Sequence, residues 1–423
     1  MPRRLALLLA LAALLPAPAS ASAAPRVVPG EIVVGYANGR HEVMKVTDTQ
    51  AAIARAKLRP GVRYAVPNVV ARASQLPLPN DPGRGTAPGG WQQVQWNFLG
   101  GFGVDAPAAW QHTADARHIA GRGVTIAVLD TGVAYKTIGQ FRRSPDLTTT
   151  KFVRGYDFVR RAEQPLDRNG HGTHVASTIA EATNNGVSLV GLAYNSRIMP
   201  VRVLDSQGEG DAATIADGVR FAAKRGAKII NLSLEFSSDV GASEIPELLS
   251  ALNYAHSRGS MVIAASGNEA HRAVAYPARA KNVVSVGATT IHGCLSDFSN
   301  DGRGLDLVAP GGGADAELTD DPNCKPNEPP GPDIFQVTFL GTSPRTFGLP
   351  SGYEGTSMAV PHVSATAALI IASRVLGRNP TPDALERRLE KTAGDLGPPG
   401  YDTRYGAGLI NAGRATDPSI PVT

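Results

Sequence analysis

From Gly123 onward, short apolar runs alternate with stretches of helical spacing. The runs are V-T-I-A-V-L (124–129), R-I-M-P-V-R-V-L (197–204), A-K-I-I-N-L (227–232) and M-V-I-A-A (261–265). Helical patterns begin near Gly172 and Ala212, and another precedes Met261. Repeated β-α units of this kind predict an α/β domain with a mostly parallel sheet and helices on both faces. In such sheets ligands bind beyond the carboxyl ends of the strands. Upstream, E-I-V-V-G-Y-A (31–37) and V-R-Y-A-V-P-N-V-V-A-R-A (62–73) read as strands flanking a short helix, A-A-I-A-R-A-K-L (51–58). That small α+β segment is too little for a stable independent core. A Pro- and Gly-rich stretch, Leu76 to Gly90, marks a domain boundary. Residues 311–350, rich in Gly, Pro and Asp, predict surface loops with at most an edge hairpin.

Three further features change this picture. The chain opens with Arg3 and Arg4, a short apolar run and A-S-A at Ala21–Ala23, the pattern of a secretory signal peptide over residues 1–23. That run is too short for a spanning helix, so no stable membrane anchor is expected. The net charge of +4 suggests a nucleic-acid partner until the charges are located. Residues 1–77 carry ten Lys and Arg against three acidic residues, a net of +7, which leaves −3 for the remainder. A nucleic-acid footprint is therefore not expected in the main domain. The two cysteines, Cys294 and Cys324, suggest one disulfide in an exported chain, with two free thiols as the alternative.

Four polar residues sit where this architecture places chemistry. Asp130 ends the run V-T-I-A-V-L-D; it is a turn aspartate or a site carboxylate, and no glycine-rich fingerprint follows to suggest a nucleotide. His171 lies in D-R-N-G-H-G-T-H-V-A, where Gly170 and Gly172 leave its imidazole uncrowded. A metal pair with His174 lacks an acidic ligand at the helical zinc spacing, and His174 reads as a packing residue. Asn268, in A-A-S-G-N-E after an apolar strand, is a turn residue or a donor to developing negative charge. Ser357, in G-T-S-M-A-V-P-H at a loop-to-helix junction, is an ordinary N-cap unless a base and its orienting group converge on it.

The chain order Asp, His, Asn, Ser, in the frames V-L-D-T-G, N-G-H-G-T-H-V-A, A-S-G-N and G-T-S-M-A-V-P-H, resembles the subtilisin-like serine peptidases, or subtilases. The resemblance runs from about Asn80 to the end, where Y-G-A-G-L-I-N-A is similar to the family's closing segment. It implies a secreted serine endopeptidase, a monomer acting on proteins or peptides, with residues 24–79 as an inhibitory propeptide and 80–423 as the catalytic domain. The propeptide would be the enzyme's own transient inhibitor. Ser357 would be the nucleophile, His171 the base and Asp130 its orienting partner, with Asn268 and the Ser357 N–H as oxyanion donors.

The resemblance also implies a substrate groove between Gly208-Glu209-Gly210 and Ser233-Leu234-Glu235, with Ala265, Ser266 and Gly267 alongside and Ala275 at a pocket floor. Glu235 departs from the family's usual glycine and, with Glu209, would make the groove acidic. A structural calcium site is implied at Asp81, Asp146 and Asn185, and no cofactor for catalysis. The weighed alternatives are a catalytically silent binding fold and an acid-active relative using Glu and Asp. The intact Asp130, His171, Asn268 and Ser357 oppose both.

Overall fold

A computed structural model of the chain describes residues 27–69 and 76–422. The expected signal peptide, and the end of the strand expected to run to residue 73, lie outside the described residues. The chain divides into two units, residues 1–75 and 76–423. The division falls earlier than the boundary expected at 79/80, because residues 76–80 are already bound to the second unit. The N–H of Leu76 donates to Gln111 at 2.6 Å, and the carbonyl of Pro79 accepts from the Trp91 indole at 2.9 Å.

The first unit is an antiparallel sheet of three strands, β1 (Val27–Tyr36), β2 (His41–Lys45) and β3 (Val62–Val69), in the order β2-β1-β3. Helix α1 (Thr49–Lys57) starts at an Asp48 cap that accepts from the N–H of Ala51. Its buried Ala52, Ile53 and Ala56 pack with Ile32, Val34 and Ala65. Strand β2, H-E-V-M-K, was not expected from the sequence: only Met44 escapes full exposure, so no apolar alternation reveals it.

In the second unit α2 (Ala106–Asp115) precedes β4 (Thr125–Asp130), the short β5 (Lys151–Phe152) and β6 (Tyr156–Asp157), and α3 (His171–Ala180). Then come β7 (Arg197–Arg202), α4 (Ala212–Lys224), β8 (Ile229–Leu232), α5 (Pro246–Ser257), β9 (Met261–Ala265), β10 (Val283–Thr289) and β11 (Leu307–Pro310). The chain ends with the hairpin strands β12 (Thr338–Phe339) and β13 (Phe347–Gly348), then α6 (Thr356–Ser373), α7 (Pro382–Thr392) and α8 (Ala412–Thr416). The sheet is parallel, in the order β11-β10-β9-β8-β4-β7-β5, with β6 also on β7.

Side-chain alternation along the strands builds two cores, one per face. From β4, Ile126 and Val128 join a cluster with α3 and α6, while Ala127 and Leu129 join one with α4 and α5. Strand β9 divides in the same way, Met261 and Ile263 to one side, Val262 and Ala264 to the other. Helix α6 is apolar nearly all round and buried, as a helix enclosed by sheet and helices must be. It is long and apolar enough to cross a membrane, but here it is the core helix of this unit. The 311–350 stretch contains only the expected hairpin.

A disulfide joins Cys294 to Cys324 across a separation of 30 residues. Chain entropy assigns such a loop about 3–4 kcal/mol. Replacing both cysteines by serine is therefore expected to lower the Tm by on the order of 5 °C for a unit of this size, measured by calorimetry.

Candidate active site

The carboxyl edge of the sheet collects the polar residues. Asp130 is the last residue of β4 and has no solvent exposure. Its Oδ1 accepts from His171 Nδ1 at 2.8 Å and from the Thr131 N–H at 2.7 Å. His171 is the first residue of α3, and that helix begins in contact with the strand end. A Cβ on Gly172 would lie 2.2 Å from the Gly132 carbonyl and 3.0 Å from Asp130, so only glycine lets the helix start this close. Burial pulls the His171 pKa down, but the charge and hydrogen bond of Asp130, with Asp167 and Glu235 beyond, outweigh it and the net direction is up. His174 behaves differently: its Nε2 donates to the Ile334 carbonyl at 2.8 Å, its ring stacks on Tyr353 at 4.2 Å, and burial pushes its pKa down to about 3. It is a neutral packing residue, as the sequence suggests.

Asp167 was not singled out in the sequence, yet it organises the approach to His171. Its Oδ1 accepts from the Thr131 hydroxyl and from the N–H groups of Asn169 and Gly170, at 2.9–3.0 Å. Its Oδ2 accepts from the N–H and hydroxyl of Thr173, at 3.0 and 2.5 Å. One buried carboxylate thus satisfies the Gly170 and Thr173 N–H groups at the N-terminus of α3, while those of His171 and Gly172 go to Asn169 and Thr131, and it ties that turn to the end of β4 through Thr131. The signal was available in D-R-N-G-H-G-T, an acid ahead of a helix start, but an exposed loop aspartate has the same appearance.

Ser357 is the second residue of α6. Four residues on, Pro361 has no N–H to offer the Ser357 carbonyl, and that carbonyl instead accepts from the Ser233 hydroxyl at 2.8 Å. The Ser357 hydroxyl in turn donates to the Ser233 carbonyl at 3.2 Å. Its backbone N–H has no acceptor among the described residues. Asn268 lies after β9; its Oδ1 accepts from the N–H and hydroxyl of Thr356, at 2.8 and 3.0 Å, which turns its amide nitrogen toward Glu235.

A cleft of about 630 Å³ is lined by His171, Ser357, Gly208-Glu209-Gly210 and Ser233-Leu234-Glu235, with Leu204, Ile215 and Phe236 supplying apolar wall. The two expected segments therefore both line it, although neither is a strand in the structure, where β7 ends at Arg202 and β8 at Leu232. Ala265, Ser266, Gly267 and Ala275, like Asn268, are not among the residues that line this cleft. They are buried behind the wall, where the Ser266 hydroxyl donates to the Asn300 carbonyl at 2.9 Å and the Ala275 N–H donates to Ser266 at 2.8 Å.

Away from the cleft, Asp81, Asp146 and Asn185 come together. Asp81 accepts from the N–H groups of Asn184 and Asn185, at 2.8 and 3.1 Å. Asp146 accepts from the Asn185 amide at 2.7 Å and from the Leu189 N–H at 3.1 Å. Glu181 joins them unannounced by the sequence: fully buried, it accepts from the Val337 N–H at 3.2 Å with one oxygen and has no partner for the other among the described residues. No Lys or Arg pairs with these three carboxylates among the described residues. Burial, then repulsion from neighbouring carboxylates, pushes the Asp146 carboxyl up to about 8 and raises that of Glu181, and burial alone raises that of Asp81. Such a group of oxygens, short of positive charge, has the donor chemistry of a hard divalent cation.

With this geometry in place, comparison with known proteins gives consistent results. The sequence profile of the subtilase family matches residues 121–408. The chain is 34% identical over 367 residues to the thermophilic serine proteinase of Bacillus sp. strain AK1, covering 87% of this chain and 76% of that one. It is 37% identical over 327 residues to subtilisin Savinase of Lederbergia lenta, covering 77% of this chain and 99% of that one. Among solved structures, a protease of Pseudoalteromonas arctica superposes with a TM-score of 0.62 at 29% identity, covering 80% of this chain and 99% of that one.

The Asp167 network generates a test. Asp167→Ala leaves several buried donors unpaired, each costing about 1–3 kcal/mol. The Tm and kcat/KM on a peptide substrate are expected to fall together, with Asp167→Asn intermediate in both; an unchanged pair of values would show that the turn holds without it.

Proposed function

The chain belongs to the subtilase family, and on that premise we propose that it is an exported serine endopeptidase that cuts proteins through an acyl-enzyme on Ser357. The observation that carries this reading is the 2.8 Å bond between His171 Nδ1 and Asp130, which leaves the other imidazole nitrogen for a cleft that Ser357 also lines. In the reaction the Ser357 hydroxyl leaves the Ser233 carbonyl and attacks the scissile carbonyl carbon, while His171 Nε2 takes its proton. Asp130 holds the imidazole in the tautomer that accepts at Nε2 and stabilises the imidazolium that forms. The oxyanion is received by the Asn268 amide and the free N–H of Ser357 at the start of α6. His171 then passes the proton to the leaving amine, and a water attacks the acyl-enzyme by the same route in reverse. The substrate lies extended between 208–210 and 233–235, pairing by its backbone, so that the cleft tolerates varied sequences.

Residues 1–23 are read as the export signal and the small α+β unit as a propeptide that inhibits the enzyme until it is cut away. The disulfide fits an oxidising destination, and a monomeric mature enzyme is expected. Calcium is proposed at Asp81, Asp146 and Asn185, with the unpaired oxygen of buried Glu181 as the observation that favours a cation there. Its contribution would be charge neutralisation that fixes the 183–189 loop, with no part in bond cleavage.

Two measurements check these statements. A fluorophosphonate probe is expected to label the matured protein at Ser357, located by mass mapping, and Ser357→Ala is expected to block labelling and remove nearly all peptidase activity. A Ser357→Ala chain that still cleaves protein would overturn the assignment. For the cation, chelation is expected to lower the Tm of the matured enzyme by several degrees, with recovery on adding calcium; a Tm unmoved by chelator would exclude a structural ion.

A further inference from the structure

The Asn268 amide is already engaged in the free enzyme. Thr356 fixes its oxygen, and the acceptor that its nitrogen meets is Oε1 of Glu235, at 2.7 Å. An anionic oxygen therefore sits at hydrogen-bond distance from the donor that the proposed reaction assigns to the substrate's oxyanion. Glu235 is half-buried and forms no ion pair among the described residues. The charged groups that face it are His171 of α3 and Glu269, the neighbour of Asn268.

We propose that Glu235 is an internal gate on the oxyanion site: its carboxylate holds the Asn268 amide in the free enzyme and must be displaced before a substrate carbonyl can use that donor. The inference rests on the serine-peptidase reading of Ser357 and Asn268. The Asn268 nitrogen carries two N–H bonds, but an anionic Glu235 oxygen 2.7 Å from that nitrogen stands against an oxyanion on the other, and the repulsion between the two is strong in a half-buried cleft. Glu235 also belongs to the segment 233–235, on which an extended peptide would pair. Backbone pairing there moves the residue that bears the gate, so a substrate that fills the groove opens the site as it binds. A small ester that reaches Ser357 without pairing on that segment meets the gate closed. Glu235 thereby acts as a positioning residue that selects for extended peptides over small molecules.

The test compares Glu235→Ala and Glu235→Gln, each alone and combined with Asn268→Ala, on a short neutral ester and on an extended peptide. In Glu235→Ala, kcat/KM on the ester is expected to rise about tenfold or more, in line with the difference between a charged and a neutral acceptor. The rise on the extended peptide is expected to be smaller, and neither rise should survive in the Asn268→Ala background. Glu235→Gln, which keeps the shape and loses the charge, is expected to show a smaller gain of the same sign and guards against misfolding of the alanine variant. Removing this charge also takes one of the three anionic groups, with Asp130 and Asp167, that favour protonated His171 against the opposing effect of its burial. The acid limb of kcat/KM is therefore expected to move to lower pH in both variants. Loss of activity in both variants, an unchanged ester rate, or an equal gain without Asn268 would overturn the gate. Failure of the fluorophosphonate to label the wild-type enzyme at Ser357 would instead overturn the reading beneath it.

Discussion

A carboxylate with no exposure to solvent, placed at the end of a central parallel strand, has to be compensated, and the catalytic edge of this protein is arranged around that requirement. Asp130 receives the Thr131 N–H and the His171 ring, and His171 can reach it only because α3 begins in contact with the strand end. That approach needs a glycine at 172 and a second buried carboxylate, Asp167, to hold the turn. The bonds that offset the burial of this charge at Oδ1 are the ones that set the imidazole in place, while Oδ2 has no partner among the described residues. Stability and chemistry rest on one set of contacts, so a change that loosens either residue weakens both.

The sheet explains why the other partners arrive at the same edge. In a parallel sheet all carboxyl ends point one way, and β4, β8 and β9 are neighbours. Asp130 ends the first of those three strands, the 233–235 segment follows the second directly, and Asn268 lies three residues past the third. Helix α6 then presents Ser357 and Thr356 at its N-terminus, with Thr356 fixing Asn268 and Ser357 bonded to Ser233. Each polar residue is placed by backbone, with little left to flexible side chains.

Much of this was readable in the sequence because it is carried by local pattern. Unbroken apolar strands, glycines around His171 and the small residues around Ser357 each constrain the backbone within a few residues. What was not readable depends on partners far along the chain. Glu181 appears to the eye as an ordinary polar residue after a helix, and only folding brings it against Asp81 and Asp146. Strand β2 lacks any apolar alternation, and its pairing with β1 supplies what its composition does not. The contact of the segment 265–267 with the Asn300 loop likewise joins residues distant in the chain. Glu235 was conspicuous as a departure, whereas the bond it makes to Asn268 could come only from the fold.

Pro361 has a consequence beyond the shape of its helix. By withholding one N–H it leaves the carbonyl of Ser357 unclaimed, and Ser233 on the cleft wall takes it up. A second bond returns from the Ser357 hydroxyl to the Ser233 carbonyl. The two serines are thus latched to each other in the free chain, and one half of the latch is the hydroxyl proposed as the nucleophile. Any movement of the 233–235 wall would therefore reach the Ser357 carbonyl and hydroxyl through these two hydrogen bonds, as a lever acts on a trigger.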